Sequence, residues 1–172
     1  MLHTLVVLVE DKPGVLNRVA SLFRRRAYNI ESLTVGHTDQ PGVSRMTIAV
    51  LGDEIQITRL VAYLYKLVNV IQVYDLTETP SVHRDLAMIK VKAAPENRLH
   101  IMETVNVFRG RIVDMTNDSL IVEATGDADK IDGLVDVLKP YGIIEMVRTG
   151  MVSMARGAAA LPAYAEIGFV AA

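Results

Sequence analysis

The chain has 172 residues, 18 basic and 20 acidic, for a formal net charge of −2. That balance argues against a dedicated nucleic-acid binder, though a local basic patch is compatible with it. Cysteine is absent, which excludes disulfides, thiolate chemistry and cysteine-ligated metal sites and fits a reducing compartment. Half the residues are hydrophobic and only 5% are aromatic, with no tryptophan. A core for one ordinary domain or two small ones is available, and stacking platforms for bases are scarce.

In chain order, Leu2 to Glu10 predicts a strand. Leu5, Val7 and Val9 alternate with Thr4, Val6 and Leu8, so both faces are apolar and the strand belongs in the middle of a sheet. The run is too short for a membrane span, and no signal peptide is expected. Asp11, Lys12, Pro13 and Gly14 form a tight turn. Val15 to about Ala27 predicts a helix, with Val15, Leu16, Val19, Leu22 and Phe23 at helical spacing and Arg24 to Arg26 near its end. Asn29 to His37 and Ser44 to Leu51 predict strands around a turn at Asp39 to Gly42. A helix with Ile57, Leu60, Val61, Leu64 and Leu67 follows, then a strand from Val68 to Leu76. The order βαββαβ is the ferredoxin-like motif, with both helices on one face of an antiparallel sheet. Its other face needs a cover, for which a second copy of the chain is the expectation.

The order then recurs as a pattern, without sequence identity. Leu86 to Ala94 predicts a strand, and Asn97 to Phe108 a helix with Leu99, Met102 and Val105 inward. Gly110 to Thr116 and Leu120 to Ala124 predict strands. Asp129 to Leu138 predicts a helix with Ile131, Leu134, Val135 and Leu138 inward, and Ile143 to Arg148 a closing strand. The expected division is residues 1–78, a linker at 79–82, a second domain at 83–157 and a tail at 158–172. The class is α+β: two tandem ferredoxin-like βαββαβ domains. After Gly150 the texture is small and apolar, fitting a docking helix or a frayed tail.

Catalytic machinery is hard to assemble. No histidine has metal-ligand spacing, although His3 and His37 are candidate neighbours near a sheet edge. Asp127, Asp129 and Asp132 read as helix-capping and dipole residues. The sequence contains no nucleophile elbow, P-loop or dinucleotide fingerprint. The informative segment is EDKPGVLNRV. A helix starting straight from a strand leaves backbone amides that can hold a carboxylate. Gly14 keeps that mouth open, Asp11 can receive an ammonium group, and Asn29 offers an amide. From the residues alone the plainer reading is favoured, with Asp11 as a cap and Gly14 and Asn29 as turn formers.

The strings PGVLNRV, NIESLTV and SRMTI, with FRGRIVD and IIEMVRTG later, closely resemble the small regulatory subunit of acetolactate synthase, whose first domain is an ACT domain. The resemblance runs from near the start through Gly157. It implies a non-catalytic subunit that dimerises through its ACT domain and binds the catalytic large subunit. That large subunit carries thiamine diphosphate, magnesium and FAD, whereas no cofactor is expected here. The resemblance further implies activation of the large subunit. It implies feedback inhibition by valine, or a related small amino acid, in the cytoplasmic biosynthesis of valine, leucine and isoleucine. Nucleic-acid and membrane partners are not expected. By position, the effector site at the ACT–ACT interface comprises Asp11, Gly14, Val15, Leu16, Asn29 and Ile30. Asp11 stands where the family often has asparagine and adds a charge near the ligand. The alternative is a free-standing amino-acid-binding ACT protein that regulates another enzyme or transcription. A small enzyme of this fold would need an acid–base set that is not found.

Overall fold

The computed structural model describes residues 1–157. The first module comprises β1 (Leu2–Glu10), α1 (Val15–Arg25), β2 (Ile30–His37), β3 (Val43–Leu51), α2 (Glu54–Leu64) and β4 (Val70–Asp75). The sheet order is β2-β3-β1-β4, antiparallel throughout. The strand apolar on both faces is central, as its composition requires. Leu5, Val7 and Val9 meet Val15, Val19, Leu22 and Phe23 of α1 and Ile57, Leu60 and Leu64 of α2 in one core. A capping box between Asp53 and Gln56 starts α2. Ala27, at φ 56°, turns the chain out of α1, and β2 begins at Ile30. On the opposite face of β1, Val6 and Leu8 are 0% and 1% exposed within the single chain. The two-faced character of β1 therefore does not require a second copy as its cover.

The second module repeats the order with β5 (Ser81–Lys92), α3 (Pro95–Val107), β6 (Arg111–Met115), β7 (Ser119–Gly126), α4 (Ala128–Leu138) and β8 (Ile143–Arg148), arranged β6-β7-β5-β8. It has its own core of Ile89, Val91, Ile101, Val105, Leu120, Val122, Ile131, Leu134 and Leu138 with smaller neighbours. Leu99 is a correction: it is 65% exposed. The inward stripe of α3 runs through Ile101, Met102 and Val105, with Arg98 half-buried one turn earlier. The Arg98 guanidinium donates to the carbonyls of Thr116 and Asn117 at 3.2 and 2.6 Å. Asp127 caps α4 through the Lys130 amide. Asp132 and the buried Asp85 both accept from Arg148, at 2.7 and 2.9 Å. Burial alone would lower the Arg148 pKa, but these two carboxylates outweigh it and raise it.

Two boundaries differ from expectation. The segment read as a linker already enters β5 at Ser81. After Gly150 the chain forms a further strand, β9 (Val152–Ala155), which pairs with β5. Its alternation of buried Ser153 between exposed Val152 and Met154 is the strand period in a segment too short to read alone. Arg45 on β3 donates to the Ser153 carbonyl at 2.5 Å, and the Arg156 amide donates to the Pro80 carbonyl at 2.8 Å. Two compact units result among the described residues, 1–82 with 153–157, and His83–Val152. The apolar tail at 158–172 lies outside the described residues.

Candidate functional site

The β1–α1 turn is held from both sides. The Glu10 amide donates to the Asn69 carbonyl at 2.9 Å, and the Asp11 amide to the Gly42 carbonyl at 2.8 Å. Between these ties and the helix, Gly14 adopts φ 83°, a left-handed conformation open to glycine at little cost. Gly14 is the N-cap residue, and no side-chain oxygen caps the amides of the first turn. A Cβ built on Gly14 meets nothing within 4 Å, so the mouth of the helix is sterically open. Val15 is buried beneath it, and Leu16 is exposed beside it. The Val15 amide donates to the Lys12 carbonyl at 3.3 Å, which leaves the Leu16 and Asn17 amides uncapped and favourable to a carboxylate, with the Asp11 carboxylate, favourable to an ammonium, three residues before Gly14.

A polar lattice under the turn was not foreseen from sequence. Arg18 Nη1 donates to Asn69 Oδ1 at 2.5 Å, and Asn69 Nδ2 donates to Glu10 Oε2 at 2.5 Å. Lys12 Nζ lies 3.2 Å from the same Glu10 oxygen. The Asn69 hydrogen bond, and after it Lys12, hold the Glu10 carboxyl below its ordinary value of 4.5. Asp11 Oδ2 is 3.2 Å from His37 Nδ1. Strand register explains that meeting. His37 pairs with Ser44 and Glu10 with Val43, so β2 ends at the sheet end where β1 ends. The antiparallel order β2-β3-β1 was the available signal for it.

The remaining predicted residues lie elsewhere. Ile30 pairs with Val50, as does His3. Six residues of β3 separate that level from Ser44, roughly 20 Å of strand. Asn29, whose amide donates to Glu31 Oε1 at 2.5 Å, is therefore at the far end of the module from Gly14. Within one chain the two halves of the predicted site do not meet. His3 and His37 are separated in the same way, which corrects the expectation that they are neighbours. His3 is buried, with Nδ1 3.2 Å from Thr77 Oγ1 and 3.5 Å from Asp75 Oδ2.

Among the described residues no group of three or more His, Asp or Glu side chains is placed to hold a metal ion. No helix there is long and apolar enough to cross a membrane.

Comparison with known proteins covers both modules. Residues 5–72 match the family described as "AHAS small subunit-like ACT domain", and residues 84–157 the family "Small subunit of acetolactate synthase". A probable acetolactate synthase small subunit from Archaeoglobus fulgidus is 54% identical over 91% of this chain and 98% of its own length. The acetolactate synthase small subunit of Mycolicibacterium smegmatis is 51% identical over 90% of this chain and 91% of its own. The crystal structure of the small subunit from Thermotoga maritima superimposes with a TM-score of 0.86 at 39% identity, covering 91% of this chain and 98% of that one. With both modules matched in order and nearly end to end, the chain belongs to the acetolactate synthase small-subunit family.

Proposed function

We propose that this chain is the non-catalytic regulatory subunit of an acetolactate synthase, raising the activity of a catalytic large subunit and conferring inhibition by valine or a similar small amino acid. The observation that carries the effector part is the open, uncapped start of α1 at Gly14 beside the Asp11 carboxylate. Thiamine diphosphate, magnesium and FAD belong, on this reading, to the large subunit, and the holoenzyme works in the cytoplasm. Family matches over both modules support this reading over a free-standing ACT regulator.

The separated site halves make sense in a homodimer. β2 is an edge strand of its sheet, with Val35, Gly36 and His37 exposed. Two copies joined antiparallel through β2 about a two-fold axis would set the Asn29–Ile30 end of one beside the Asp11–Gly14 end of the other. Asn29 and Ile30 then complete the partner's site: helix-start amides hold the effector carboxylate, Asp11 its ammonium, and Ile30 with Leu16 its side chain.

The test is reconstitution. The purified chain should form no acetolactate from pyruvate, with or without thiamine diphosphate and magnesium. Added to its cognate large subunit it should raise the rate saturably, and valine should reverse that gain. Turnover by the chain alone, or no rate change across a full titration, would overturn the reading.

A further inference from the structure

The helical face of the first module carries a groove of about 340 Å³, lined by Leu22, Arg25, Arg26, Tyr63, Lys66 and Leu67. On α1 and its C-cap, Leu22, Arg25 and Arg26 are at helical spacing. On α2 and its exit, Arg59, Tyr63 and Lys66 follow i, i+4, i+7. The Arg26 guanidinium lies 3.8 Å from the centre of the Tyr63 ring, and Lys66 Nζ 5.3 Å from the same centre. Two cations are thus gathered on one aromatic ring, with Arg25 on the adjoining wall. Among the described residues no carboxylate forms an ion pair with Arg25, Arg26, Arg59 or Lys66. The acids that do pair are Asp75, Glu10, Asp11, Glu103, Asp136, Asp85 and Asp132. In a chain of net charge −2, this is a segregated basic surface with an apolar floor of Leu22 and Leu67.

We propose that this groove is the docking site for an acidic amphipathic segment of the catalytic subunit, a proposal that rests on the functional reading above. Its chemistry selects that occupant. The lining comes from the C-terminal halves of both helices and the α2 exit, where uncommitted backbone groups are carbonyls rather than amides. A polyphosphate would find no amide cradle there. Carboxylates on flexible side chains can meet Arg25, Arg26 and Lys66 individually, while apolar residues between them cover Leu22 and Leu67. The groove is also remote in kind from the effector mouth, which offers amides and a carboxylate. Docking and effector binding are then separable by mutation.

The experiment uses the full chain and the purified cognate large subunit, with binding followed by calorimetry at several salt concentrations. Arg25→Glu/Arg26→Glu/Lys66→Glu should weaken binding at least tenfold and flatten its salt dependence. Arg25→Gln/Lys66→Gln, which leaves the Arg26–Tyr63 stack in place, should weaken it in the same direction but less. Circular dichroism spectra of both variants should match wild type, with the melt of the triple variant lowered only slightly by loss of the Arg26–Tyr63 stack. Inorganic pyrophosphate is the second probe. Binding of pyrophosphate that the triple variant abolishes, with large-subunit affinity unchanged, would overturn the proposal in favour of a small-anion site. Equal large-subunit affinity for wild type and both variants would also overturn it, leaving the regulatory reading intact. Failure of wild type to bind the large subunit at all would overturn both.

Discussion

At Gly14 the backbone conformation and the ligand mouth are the same feature. With φ 83°, any L-residue there is strained, by about 1–2 kcal/mol and less for aspartate or asparagine. Space is not the obstacle, since an added Cβ meets nothing within 4 Å. Gly14→Ala therefore isolates the strain, and Gly14→Asp adds a negative charge facing the incoming carboxylate. Aspartate cannot serve as an ordinary N-cap there, because capping needs an extended backbone at that residue. The expected outcome is that Gly14→Asp loses valine inhibition while keeping most activation, and Gly14→Ala keeps both with a small loss of stability. A valine titration of holoenzyme, at matched saturation of the large subunit, reads this directly. An unchanged half-inhibitory concentration for Gly14→Asp would place the effector elsewhere. Asn29→Ala should weaken inhibition less, because it removes a polar contact without adding repulsion.

Among the elements, the first turn of α1, the end of β1 and the entry to β4 meet at one buried side chain, Asn69. It receives from Arg18 of α1 and donates to Glu10 of β1. Because Glu10 titrates below its ordinary 4.5 in the folded chain, its contribution to stability is fully present above that value. It is lost as the pH falls through the lowered folded value. Thermal melts of wild type and Glu10→Gln should differ by a constant small amount at pH 5 and above and converge as the pH falls below 4.5. A difference that persisted undiminished at pH 3 would show that the carboxylate charge is not what ties the turn. This lattice also marks the limit of reading by pattern. β1, both helices of the first module and the βαββαβ order were legible because apolar spacing reports burial directly. Leu99 falls off the buried stripe because a repeated spacing of three drifts around an α-helix, whereas Ile101, Met102 and Val105 share one face, and β9 is too short, at four residues, to carry a period. Asn69 and His37 act through contacts made across β3 or across the α2–β4 loop. They become visible only once strand register is known.

For the whole molecule, the separation of Asp11 and Gly14 from Asn29 and Ile30 at opposite ends of one sheet turns effector binding into a question of assembly. Val35 sits in the body of the edge strand β2, paired with Met46 on its inner side and 46% exposed. Charge on an edge strand is a known deterrent to strand addition. In a two-fold pairing through β2 it would also bring like charges from the two copies close together. Val35→Lys should shift the chain from dimer towards monomer in light scattering at micromolar concentration, with little change in the fold of each monomer. Because both site halves would then lack their complement, valine binding by calorimetry should fall in parallel with the dimer fraction. Val107→Lys is the matched control. Val107 is 80% exposed at the end of α3 in the second module, so the same charge there should leave both dimer and valine affinity unchanged. Wild type that scatters as a monomer would remove the shared site. A Val35→Lys monomer that bound valine with wild-type affinity would show that Asp11 and Gly14 suffice without the partner's Asn29.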